Sequence, residues 1–121
     1  MKISDIKKIN AMFDFYESII YDLKSNNGLD FQVSILYKWE EKFLSENKEI
    51  VINFKNCHYI NISLEKVLKA CKDDSIANPI IEIEELKMED LNDGRINVII
   101  INHYNDRMID LLCDEVVLEY N

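Results

Sequence analysis

Leu29-Asp30-Phe31-Gln32-Val33-Ser34-Ile35-Leu36-Tyr37 is the stretch that decides the fold class of this chain. Leu29, Phe31, Val33, Ile35 and Tyr37 alternate with Asp30, Gln32 and Ser34, the period of a half-buried strand. Immediately before it stands Ser25-Asn26-Asn27-Gly28. An Asn-Gly pair supplies the positive φ that a tight hairpin turn requires. The residues further upstream fit two patterns. Phe13, Tyr16, Ile20 and Leu23 form a helical stripe, whereas Phe13, Phe15, Ile19, Tyr21 and Leu23 fit strand alternation. The turn favours a strand through about residues 17–25, paired as a hairpin with the strand after the turn.

Working outward, residues 3–12 read as a short helix, with Ser4 as its cap and Ile3, Ile6 and Ile9 at helical spacing. Trp39 to Asn47 is charged and reads as a loop or helical turn. Ile50, Ile52 and Phe54 mark a third strand, Asn56-Cys57-His58 a turn, and Ile60 and Ile62 a short fourth strand. Ser63 caps a helix over about residues 64–72, where Leu64, Val67, Leu68 and Cys71 share one face. Asn78-Pro79 interrupts the chain, and Ile81 and Ile83 alternate with Glu82 and Glu84 in a fifth strand. Asn92-Asp93-Gly94 is a second hairpin signal. It leads into Ile96 to Tyr104, where Val98-Ile99-Ile100-Ile101 is apolar on both faces, as in a central strand. Asn105-Asp106 turns the chain again, and Met108 to Tyr120 closes it as one or two strands. The expectation is an α+β domain: a predominantly antiparallel sheet of about seven strands in meander or hairpin order, with two short helices. One proline and two glycines leave no linker, so residues 1–121 read as a single domain.

The net charge of −9, from 23 acidic and 14 basic residues, excludes some classes of partner. Nucleic acid and anionic membranes both need a basic footprint, which this chain lacks. The sign suits either solubility alone or a basic protein partner, whose capture the long-range field would speed. Cys57, Cys71 and Cys113 are odd in number and widely spaced, which is no disulfide framework. The opening Met1-Lys2-Ile3-Ser4-Asp5 has no signal-type apolar core, and no run approaches a membrane span. The cytoplasm is the expected location.

The usual catalytic sets are missing from the pattern. Two glycines cannot build a phosphate loop, and no nucleophile elbow or paired-histidine zinc motif occurs. Cys57-His58 and His103 with Asp114 are the raw material for a triad. Adjacent strand residues point to opposite faces, so Cys57 and His58 read as a buried thiol beside an exposed turn histidine. No cysteine or histidine spacing matches a metal pattern, and no cofactor is expected. The candidates for partner contact are the acids near strand ends, Glu82, Glu84, Glu85, Asp114 and Glu115, together with the aromatics Tyr37 and Trp39.

Several stretches together resemble small bacterial domains that include the immunity proteins of polymorphic toxin systems. Phe13-Asp14-Phe15-Tyr16-Glu17-Ser18-Ile19 is placed like their aromatic-rich "F-H-D-S-x-I" opening, with Tyr16-Glu17 where those proteins tend to have His-Asp. The alternating strand comes next, then Ile50 to Ile62 with Phe54 and Cys57 at corresponding spacing. A closing strand pair runs through Leu111-Leu112-Cys113-Asp114-Glu115-Val116-Val117-Leu118-Glu119. The resemblance implies a non-enzymatic module that binds and neutralises a cognate toxin domain, and it brings no catalytic residue with it. The alternative is a structural or regulatory homo-oligomer, such as a homodimer joined through a strand edge.

Overall fold

A computed structural model describes residues 1–26, 28–38, 48–71 and 80–120. Trp39 to Asn47, the Asn78-Pro79 break and Asn27 lie outside them. Along the described chain the elements are β1 (Lys2–Ile3), α1 (Ile6–Met12), β2 (Ile19–Asn26), β3 (Asp30–Tyr37) and β4 (Lys48–Lys55). They continue as β5 (Tyr59–Ile62), α2 (Leu64–Ala70), β6 (Ile81–Asp90), β7 (Ile96–Asn102), β8 (Arg107–Cys113) and β9 (Glu115–Tyr120). All pairings are antiparallel, in the order β1-β9-β4-β3-β2-β6-β7-β8-β5. The expected class, α+β with a dominant antiparallel sheet, is the observed one, with nine strands where about seven were expected.

Local chemistry explains most boundaries. The hairpin of β2 and β3 forms with Asn26 opposite Asp30, and Gly28 takes φ +75°. Asn56, Asn92 and Asn105 also hold positive φ, a conformation asparagine tolerates better than most residues. In β3 the expected alternation appears from Phe31 onward, with Phe31, Val33, Ile35 and Tyr37 buried, whereas Leu29 precedes the strand and is exposed and Ser34 of the other phase is buried. Two helix ends differ from expectation. Asp5, not Ser4, caps α1, accepting from the Lys7 amide at 3.0 Å. Ile3 instead pairs with Leu118 as part of β1 and enters the core from a strand. The second helix ends at Ala70 and is capped as expected by Ser63, whose Oγ accepts from Lys66.

The sheet folds back on itself. In the sheet order, β8 and β9 stand apart with β4, β3, β2, β6 and β7 between them, yet only Asp114 separates them in sequence. One residue spans no more than about 3.5 Å, so the far ends of the ladder must be brought together. The β4–β5 turn crosses the same corner, where the Asp114 amide donates to the Lys55 carbonyl and the His58 amide to the Leu112 carbonyl. At the opposite corner the two halves join through Ile19–Glu82 and Ile20–Ile81. Inward-facing residues of both halves then form one buried cluster, with Ile9 of α1 and Val67 of α2 packed into it.

A β-bulge in β6 shapes the acidic face of the molecule. Pairing with β7 slips between Ile83 and Glu85, so the buried residues run Ile81, Ile83, then Leu86 and Met88. A bulge adds a residue and reverses the side-chain phase. Here it leaves Glu84 and Glu85 both facing solvent, where unbroken alternation from Ile81 would turn Glu85 inward, and β6 continues to Asp90.

Candidate functional site: an acid-lined groove

The segment between α1 and β2 alternates like a strand although it pairs as none. Phe13 and Phe15 are buried, while Asp14 and Tyr16 are exposed. The two phenylalanines stack at 5.8 Å between centroids and meet the Tyr37 ring edge-on at 5.3 and 5.6 Å. The Asp14 amide donates to the Tyr37 hydroxyl at 3.0 Å, and the Tyr16 amide donates to the Asp14 carboxylate at 3.0 Å. Buried aromatics thus hold the backbone of this segment, while its polar side chains stay outside.

Opposite lies the bulged part of β6. Between them runs an open groove of about 670 Å³, lined by Asp14, Tyr16, Glu84 and Glu85 together with Lys87, Asn10 and Asn105. Phe13, Phe15, Leu86, Met88 and Ile101 contribute apolar surface below. Tyr16 is half exposed. The negative field of Glu17 first, then of Glu84, raises its phenol pKa, with Glu82 contributing less. Glu17 is itself held below the usual carboxylate range by the Lys38 ammonium, which hydrogen-bonds and pairs with it. Its backbone sits at φ 65°, an uncommon state for a residue that is neither glycine nor asparagine. The Glu17 amide donates to the Ile83 carbonyl at 2.8 Å, and the buried Ser18 hydroxyl accepts from the Lys38 amide. The turn is over-determined by bonds on both sides.

The groove therefore offers carboxylate acceptors around one phenol. Among the described residues the ion pairs involve Glu17, Asp93, Asp106, Asp110, Asp114 and Glu119, and none of them neutralises Glu84 or Glu85. Such a surface suits a cationic side chain backed by apolar contact. No group of ligating side chains suited to a metal ion occurs among the described residues.

The candidate residues separate into three groups. Glu84 and Glu85 stand together in the groove, with the half-buried Glu82 beside Tyr16. Asp114 and Glu115 are exposed at the β8–β9 corner, where Asp114 engages the His58 ring at 2.6 Å. Tyr37 is only 5% exposed and acts from beneath the groove, so a direct contact from its side chain to a partner would need the core opened. Trp39 falls outside the described residues. Sequence reasoning passes over Tyr16 as a contact residue. Its signal is the alternation of Phe13, Asp14, Phe15 and Tyr16, which places Asp14 and Tyr16 on one side.

The residues weighed for a triad are dispersed. Asp114 partners His58, while the buried His103 Nδ1 has no hydrogen bond among the described residues and the His103 ring lies 4.2 Å from that of Tyr104. Cys57 is buried beside the exposed His58, as the alternation implied. Cys113 is fully buried, and loss of hydration pushes its thiol up to about 12. None of the three cysteines is in a disulfide, and all are buried. In the folded protein a water-soluble alkylating reagent at neutral pH should label none of them over minutes, and all should react in denaturant. Rapid labelling of Cys113 in the native state would show that the sheets open at this corner. No helix among the described residues is long and apolar enough to cross a membrane. No protein-family model, curated protein or solved structure matches this chain.

Proposed function

We propose that this chain is a non-enzymatic protein-binding module, and most concretely an immunity protein that captures and neutralises a bacterial toxin domain. The observation that carries the reading is the half-exposed Tyr16 standing among Glu17, Glu82 and Glu84, beside a groove whose Glu84 and Glu85 enter no ion pair among the described residues. A tyrosine rigidly seated among acids is an anchor for a basic surface: the ring supplies contact area at little entropic cost, and the carboxylates supply attraction. A toxin that acts on nucleic acid must carry a basic cleft to bind phosphate. An acidic protein seated over that cleft blocks it. The net charge of −9 extends the attraction beyond contact range and speeds capture.

The test is co-expression in a sensitive host. The product of the neighbouring gene is produced with and without this chain, and restored growth is the expected result. A toxic neighbour that kills equally well in the presence of the folded chain would overturn the reading.

A further inference from the structure

The edge strand β5 carries a second surface with a different chemistry. Among the described residues β5 pairs with β8 alone, through Tyr59–Leu112, Ile60–Leu111, Asn61–Asp110 and Ile62–Ile109. The Ser63 amide extends the same register, donating to the Met108 carbonyl at 2.9 Å. Antiparallel ladders alternate bonded and non-bonded pairs. The main-chain groups of Tyr59, Asn61 and Ser63 therefore face β8, and those of Ile60 and Ile62 face outward. This edge lacks the usual protections of charge, proline or a bulge in mid-strand. Tyr59, Ile62, Leu64 and Leu68, on β5 and the helix after it, are all more than one-third exposed.

The charge pattern selects the occupant. Tyr59 to Ile62 bears no charge in a chain of net charge −9. Of the neighbouring acids, Asp110 lies near Arg107, Asp106 near Lys69 and Asp114 against the His58 ring, while Glu65 of α2 enters no ion pair among the described residues. A basic partner finds uncompensated carboxylates at the groove and none on β5 itself. A second copy of the same chain brings an equally uncharged strand to this edge, and the net charge of −9 on each copy opposes its approach at long range, so pairing should strengthen as salt rises. Its strand is also complementary, because two-fold pairing about Asn61 sets Ile60 of one copy opposite Ile62 of the other. The outward amide and carbonyl of each isoleucine then meet their counterparts, and the isoleucine side chains of the two copies line one face across the joint.

We infer that the chain forms a two-fold dimer by antiparallel pairing of β5 with β5 of a second copy, centred on Asn61. The full chain is tested by light scattering over rising concentration, with three variants. The wild type is expected to move from monomer to dimer. Ile62→Pro removes an outward amide and leaves the bonds to β8 in place, so it should weaken dimerisation at least tenfold while leaving the circular dichroism spectrum intact. Asn61→Cys should form an intermolecular disulfide on mild oxidation, since its two copies face each other at a Cα separation of about 4.5 Å. Tyr59→Cys, displaced from the two-fold axis, should not. A wild-type chain that stays monomeric at millimolar concentration would overturn the proposal. So would a dimer untouched by Ile62→Pro in which Tyr59→Cys cross-links as readily as Asn61→Cys.

Discussion

Phe54→Ala is expected to cost about 3–5 kcal/mol of stability, the range for removing a buried aromatic from a packed core. Phe54 is fully buried in β4. It stands between Phe31 of β3, whose ring is stacked at a centroid distance of 6.5 Å, and Val116 of β9. Its position accounts for the size of the effect. Three residues further on, the Cys57 thiol donates to the Phe54 carbonyl at 3.4 Å as the chain turns across the corner between the two halves of the sheet. A cavity there cannot be refilled by one neighbour, because strands on both sides are fixed by ladder bonds. Typical domains have only about 5–15 kcal/mol in total, so the midpoint of thermal unfolding should fall by roughly 15 °C. Leu29→Ala, at a position 59% exposed, should change stability by no more than about 0.5 kcal/mol. A Phe54→Ala loss below about 1 kcal/mol would mean that the sheet does not close over this residue.

Reversing two acids in the groove should matter more than reversing two at the far corner. Glu84→Lys with Glu85→Lys changes the net charge by the same amount as Asp114→Lys with Glu115→Lys, so the global field is altered equally. Only the first pair turns the groove walls basic beside Tyr16. Association with the toxin domain proposed as the partner should slow by about tenfold for the groove pair and by about twofold or less for the corner pair. The groove acids are exposed and enter no ion pair among the described residues, so the double variant should fold normally. Asp114 engages the His58 ring, and the corner variant therefore needs its folding checked before its rate is compared. Equal slowing by both would reduce the acidic surface to a diffuse field and remove the groove's special standing.

What could be read from the residues was mostly local. The turn at Asn26 to Gly28 and the alternation of β3 depend on neighbours in sequence, and both appear where expected, the alternation from Phe31 onward. Ser63 caps its helix because its hydroxyl needs only the amide three residues on. The departures share a long-range cause. Ile3 joins a strand rather than the first helix because a partner, Leu118, lies at the other end of the chain. The bulge at Glu84 and Glu85 depends on how β6 meets β7, and alternation within β6 does not announce it. The order that separates β8 from β9 likewise reflects pairings far apart in sequence.

The candidate site divides along the same line. Glu84 and Glu85 are expected near a strand end; they lie inside β6, at its bulge, and line the groove. Burial of Tyr37 is legible, since it falls on the inward phase of β3 with Val33 and Ile35. That phase, and not the general enrichment of tyrosine at interfaces, decides where its ring goes. Tyr16 becomes visible as an anchor only once the acids of β6 are placed beside it.

The rate of association between this chain and the toxin domain proposed as its partner, measured as ionic strength rises, tests the central claim most directly. Capture through the acidic groove predicts a rate constant that falls by an order of magnitude or more between roughly 20 and 500 mM salt, as the screening length shrinks to a few ångströms. The Glu84→Lys, Glu85→Lys variant should start slower and show a flatter dependence. A wild-type rate that is the same at both salt concentrations would contradict the account.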